Sequence, residues 1–95
     1  MRSTAARVSS LMKILSNETR LMVLCQLASG ERSVGDLANS LDLRQSALSQ
    51  QLALLRKDGL VKTRRDAQSI YYSLARDDLE QLLGFLYETY CERPA

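Results

Sequence analysis

Apolar residues recur along the chain at two different spacings, and the change from one to the other organises it. Ala5, Val8, Leu11, Met12 and Leu15 fall at intervals of three and four, one face of a helix, and predict a first helix of about 12 residues. That helix can clamp onto the core or onto a partner subunit. Asn17 has the side chain of an N-cap and Glu18 stands in the turn after it, so a second helix is predicted through Leu21, Leu24, Cys25 and Leu27, closed by Gly30. Ser33 can cap a third, short helix with Val34, Leu37 and Leu41 facing inward. After a brief break at Asp42-Leu43 the helical period resumes from Arg44 to Arg56, with Leu48, Leu52 and Leu55 as its apolar line and Gly59 at its usual place beyond the C-terminus.

The period then shortens. Leu60 to Arg65 and Ser69 to Leu74 are rich in strand formers (Val61, Ile70, Tyr71, Tyr72) and flank the turn Asp66-Ala67-Gln68, which reads as a hairpin. Helical spacing returns at the end: Asp77 and Asp78 place acids at the positive end of a last helix, and Leu79, Leu82, Leu83, Leu86, Tyr87 and Tyr90 form a broad apolar stripe. Two helices joined by about three residues have helix-turn-helix spacing, and two strands directly after them make a wing. The expected fold is mainly α with a small β-hairpin: a winged helix-turn-helix of about five helices and a two-stranded wing, one domain over residues 1–95.

The helix from Arg44 to Arg56 has two unlike sides. Opposite its leucines it carries Gln45, Ser46, Ser49 and Gln50, short or amide side chains suited to base edges in a DNA major groove, with Arg44 placed for a phosphate. Arg64, Arg65 and Gln68 at the hairpin would reach the backbone or the minor groove. Charge adds to this picture by its distribution, because the net value is only +2. Arg44 to Arg65 holds Arg44, Arg56, Lys57, Lys62, Arg64 and Arg65 against the single acid Asp58, a pattern that fits a phosphate footprint as well as an ordinary solvated face.

Length sets the next expectation. A 95-residue chain with 45% hydrophobic residues can build one core, yet domains of this size often gain stability by oligomerising. The stripe on the last helix is broad enough that one side of it is expected to lack a partner within the chain. A homodimer interface built from Leu11, Leu15, Leu79, Leu82, Leu83 and Leu86 is the expected use, and plain core packing is the other reading. No apolar run approaches the roughly 20 residues of a membrane span and no signal-peptide core follows Met1, so a cytoplasmic protein is expected.

Taken together, Asn17-Glu-Thr-Arg-Leu21, Ser33-Val-Gly-Asp-Leu37, Ser46-Ala-Leu-Ser-Gln-Gln-Leu52, Leu55-Arg-Lys-Asp-Gly-Leu-Val61 and Ile70-Tyr-Tyr72 resemble the ArsR family of dimeric winged-helix repressors. The likeness runs from Leu11 to nearly the end of the chain. It implies a homodimer that binds double-stranded DNA at an inverted-repeat operator. Family members often carry His where this chain has Gln51. Many relatives sense metals through a Cys-x-Cys at the third helix or Asp and His pairs on the last, but residues 33–37 carry no thiol and the chain has no histidine. Asp77, Asp78 and Glu80 alone would make a poor transition-metal site, so no metal and no cofactor is expected.

Two cysteines remain, Cys25 in the second helix and Cys91 beyond the last. By itself Cys25 on an apolar helix face reads as a small hydrophobe. Cys91 follows the end of the last helix between Glu88 and Glu92, whose charge opposes thiolate formation unless Arg93 or a neighbouring subunit compensates. The surroundings Leu24-Cys-Gln-Leu27 and Leu86-Tyr-Glu-Thr-Tyr-Cys91 resemble the dithiol branch of the family, the BigR, SqrR and HlyU type. That resemblance implies redox sensing: an oxidant or polysulfide links the two thiols of one subunit through a disulfide or polysulfide bridge and weakens DNA binding. Other functions consistent with the same residues are activation by displacing another DNA-binding protein, and a protein-interaction module without thiol sensing. An enzyme is not expected, since no histidine can activate Cys25 or a serine and no glycine-rich phosphate loop is present.

Overall fold

A computed structural model describes residues 2–90; Met1 and residues 91–95, Cys91 among them, lie outside the described residues. Five helices and a three-stranded antiparallel sheet follow in the order α1 (Arg2–Leu15), α2 (Glu18–Ala28), β1 (Arg32–Ser33), α3 (Val34–Leu41), α4 (Gln45–Lys57), β2 (Val61–Asp66), β3 (Ser69–Leu74) and α5 (Asp77–Tyr90). This is the expected mainly helical winged fold, with one strand more than the sequence pattern indicated. Among the described residues no helix is long and apolar enough to cross a membrane.

Local chemistry explains where the helices begin and end. Asn17 is extended, and its Oδ1 accepts the Arg20 backbone N–H at 3.0 Å, leaving one donor fewer unsatisfied at the start of α2. Asn17→Ala is therefore expected to cost about 1 kcal/mol of stability, read as a lower urea midpoint at unchanged slope. Ser33 caps α3 in the same way, its Oγ accepting the Asp36 N–H at 3.1 Å. α3 stops at Asp42, which is left-handed (φ 54°), and the chain crosses over itself there: Leu43 N–H donates to Ala38 O at 3.0 Å and Asp42 N–H to Asn39 O at 3.4 Å. The same closure ends α4 at Gly59 (φ 77°), where Leu60 N–H donates to Leu55 O at 2.9 Å and Gly59 N–H to Arg56 O at 3.0 Å.

Strand β1 is the unforeseen element. It pairs Arg32 with Tyr72 and Ser33 with Tyr71, which places β3 in the middle of the sheet, between β1 and β2. Two residues are too few to show any alternation, and Ser33 serves at once as strand end and helix cap. Arg32 also reaches back over the end of α2, its Nε donating at 3.4 Å to Gln26 O, a carbonyl that the Ser29 hydroxyl already engages at 2.8 Å. The wing itself closes through Ala67 and Gln68, with Ala67 left-handed (φ 57°).

The core gathers side chains from α2, α3, α4 and α5, together with Leu60 and Val61 at the base of the wing. Val23, Leu24, Leu37, Leu48, Leu52, Leu55, Leu60, Leu79 and Leu83 are fully enclosed there. This corrects half of the expected dimer interface. Leu15 (7% exposed), Leu79 (0%) and Leu83 (0%) are spent on the chain's own core and keep almost no surface for a partner. They are buried because α5 packs its Leu79/Leu83 line onto α2, and the stripe is wide enough to leave its flank uncovered. That flank holds Leu82 and Leu86, half-buried, and Phe85, which is 61% exposed; on α1, Val8 and Met12 are exposed beside the half-buried Leu11.

Candidate nucleic-acid interface and thiol cavity

Helix α4 divides as its sequence pattern requires. Leu48, Leu52 and Leu55 are buried, while Gln45, Ser46, Ser49 and Gln50 are exposed on its other side. Arg44 takes the N-cap position in extended conformation without a side-chain capping bond, so its guanidinium is left to the surface. Gln45 leans back toward α3: its Nε2 lies 3.9 Å from where a Cβ on Gly35 would sit. Gln51 turns inward, half-buried, with Oε1 enclosed and lacking a hydrogen-bond partner among the described residues, so it stands apart from the polar face.

The wing holds the second group of expected contacts. Arg65 and Gln68 are exposed near its tip. Arg64 is exposed as well but engaged: Nε donates to Glu31 Oε2 at 3.0 Å and Nη2 to Glu31 Oε1 at 2.7 Å, with Asp66 Oδ2 3.8 Å from Nη1. Its guanidinium carbon lies 4.9 Å from the centre of the Tyr71 ring. The hydrogen bonds from Arg64 hold the Glu31 carboxyl below its ordinary range, and Glu31 in turn raises Arg64. Glu31 escaped the sequence reading because its partner stands 33 positions away and the strand that brings it close is two residues long. At the start of α5 a similar fork joins Arg76 to Asp78, which lowers the Asp78 carboxyl; Asp78 Oδ1 also accepts the Leu79 N–H at 2.9 Å.

Cys25 is half-buried on α2 and lines a cavity of about 570 Å³ between α2 and α5. Met22, Leu41 and Leu83 supply apolar wall, and Tyr87 and Glu88 close it from α5. A cavity was not foreseen, since it arises from how two distant helices splay and no local pattern reports that. Cys91, the other expected thiol, lies outside the described residues.

Comparison with known proteins decides the family. Residues 17–63, which contain the helix-turn-helix and the beginning of the first strand of the wing hairpin, match the family model described as bacterial regulatory protein, arsR family. The chain is 45% identical to the transcriptional activator HlyU of Vibrio cholerae over 92 residues, 97% of this chain and 85% of that protein. It is 48% identical to the biofilm growth-associated repressor of Agrobacterium fabrum over 91 residues, 96% of this chain and 78% of that one. The chain belongs to the ArsR family. The fold agrees with the crystal structure of HlyU from Vibrio vulnificus at a TM-score of 0.92 and 46% identity, covering 96% of this chain and 95% of that one. As an ArsR-family winged helix this chain is a DNA-binding transcription regulator and not an enzyme. For such a protein the exposed polar face of α4 and the basic wing are the surfaces with the chemistry to meet a duplex.

Proposed function

We propose that this ArsR-family chain is a homodimeric, cytoplasmic repressor that binds an inverted-repeat operator and releases it when Cys25 and Cys91 are bridged by reactive sulfur or oxygen species. The observation that carries the reading is the shared wall of the cavity: Tyr87 and Glu88, a few residues before Cys91 in the chain, line the same hollow as Cys25. In the bridging step two thiols give up two electrons and two protons to the oxidant, forming one sulfur–sulfur bond or, with polysulfide, a longer chain of sulfur atoms. The bridge ties α2 to the end of α5. The uncovered flank of α5 (Leu82, Phe85, Leu86) and of α1 (Val8, Leu11, Met12) supplies the twofold interface, so a shift there moves both reading helices.

Gln45, Ser46, Ser49 and Gln50 enter the groove, with Arg44 on phosphate and Arg65 and Gln68 at the backbone beside it. Arg65→Ala is expected to lower the slope of log K against log salt by about one, with the same loss on specific and unrelated duplexes; an unchanged slope removes Arg65 from the phosphate contacts. The whole reading is tested by a mobility shift on the chain's own upstream region with reduced and polysulfide-treated protein, followed by mass spectrometry of Cys25 and Cys91. Retained binding after complete bridging refutes it. The 45% identity to a protein named as a transcriptional activator favours a second reading, in which the chain raises transcription; displacing another DNA-binding protein is the route we propose for it. Transcription in a deletion strain, rising or falling, separates the two.

A further inference from the structure

Three groups from three parts of the sheet meet on one face of the wing. Cross-strand partners share a face, and the row Ser33, Tyr71, Arg64 runs across β1, β3 and β2. It lies opposite to buried Val61, because Lys62, Arg64 and Asp66 alternate with Val61, Thr63 and Arg65. Glu31, one residue before β1, closes the row by taking both sides of the Arg64 fork. Asp66 adds a second carboxylate and the Tyr71 ring gives the guanidinium a seat.

Two physical consequences follow. Two carboxylates, Glu31 and Asp66, stand against the Arg64 guanidinium, and Lys62 is near enough to act on Glu31, so the group is close to neutral and the guanidinium is already engaged, which leaves Arg64 few counterions to displace from DNA. Moreover, β1 offers only two residues to the ladder, so its backbone bonds hold the wing to the body weakly on their own. A bidentate fork spanning from the α2–β1 loop to the middle of β2 fixes an angle that two residues of strand leave loose.

We infer that Arg64 is a positioning residue, held by Glu31 and Tyr71, that sets the pitch of the wing against the body and leaves the phosphate contact to Arg65 on the alternate side of β2. This reassigns Arg64 from the group of direct DNA contacts, and it rests on the DNA-binding reading above. The competing account, in which Glu31 merely screens an arginine that phosphate would otherwise engage, makes predictions of opposite sign.

The test is fluorescence anisotropy over a series of NaCl concentrations, using a labelled duplex carrying the inverted repeat nearest upstream of the chain's own gene. Glu31→Ala is expected to weaken binding about fivefold with the salt slope unchanged. Arg64→Lys keeps the charge but cannot form the fork, and is expected to lose affinity to a similar extent, again at unchanged slope. The double variant Glu31→Ala/Arg64→Ala is expected to be no worse than Glu31→Ala alone, because the pair acts as a unit. An exposed ion pair adds little to stability, so melting temperatures should stay within about 2 °C of the wild type and a loss of affinity is not unfolding. Tighter binding by Glu31→Ala with a steeper slope overturns the inference in favour of screening, as do unchanged affinity in both single variants or losses that add in the double. A wild type that binds no duplex at any salt overturns the DNA-binding reading, and this inference with it.

Discussion

Serine in place of Cys25 is expected to leave operator binding intact and to abolish its release by polysulfide or peroxide. The substitution exchanges one small side chain for another at a half-buried position outside the enclosed core, so folding and dimer geometry should survive it. What it removes is the only chemistry at that position able to form a sulfur–sulfur bond. Cys91→Ser is expected to behave identically; Cys25 lines the wall of a partly apolar cavity, and Cys91 lies outside the described residues. Wild-type protein should lose the mass of two hydrogens on forming a disulfide, or gain sulfur on forming a longer bridge, and neither variant should do so within one subunit. Release that persists in both single variants would sink the thiol switch and leave a DNA-binding protein whose signal enters elsewhere.

Neighbouring positions on α4 give the second large effect and its control. Leu48 on α4 is fully enclosed in the core, whereas Ser49 beside it is exposed. Leu48→Ala is expected to cost 2–5 kcal/mol, roughly a third of the whole stability of a domain this size, and to lower the melting temperature by more than about 8 °C. Ser49→Ala should leave melting within about 2 °C and weaken operator binding about tenfold, or ~1.4 kcal/mol, by removing one groove contact. Thermal unfolding and binding isotherms on the two variants check this directly. If Leu48→Ala melts normally, the packing of α4 is not what holds it; if Ser49→Ala binds normally, that face of α4 is not the reader.

Much of this was legible in the residues because the signals are local. Asn17 and Ser33 announce helix starts by one hydrogen bond within their own first turn, and Gly59 announces a stop by tolerating a positive φ. The two-sided pattern of α4 needs only a helical period, and it placed Leu48, Leu52 and Leu55 inside and Gln45, Ser46, Ser49 and Gln50 outside. What was not legible depends on pairs distant in the chain. The Glu31–Arg64 fork requires a three-stranded sheet that a two-residue strand completes, and the cavity beside Cys25 requires the relative placement of α2 and α5. The leucine stripe of α5 failed in a different way. Its composition shows that it is apolar, but Leu79 and Leu83 differ from Leu82 and Leu86 only in which side of the helix meets α2.

The connection between α3 and α4 has no slack. Three residues span it, and the crossed bonds from Asp42 and Leu43 back to α3 leave no joint at which one helix could swing without the other. In the proposed switch, a bridge between α2 and the end of α5 would therefore act on α4 as leverage on a rigid arm. In a twofold dimer whose reading helices sit about 34 Å apart, each arm is about 17 Å long, and a turn of about 5° carries its tip about 1.5 Å. That is half the length of a hydrogen bond, enough to take the groove contacts out of reach while every helix keeps its shape.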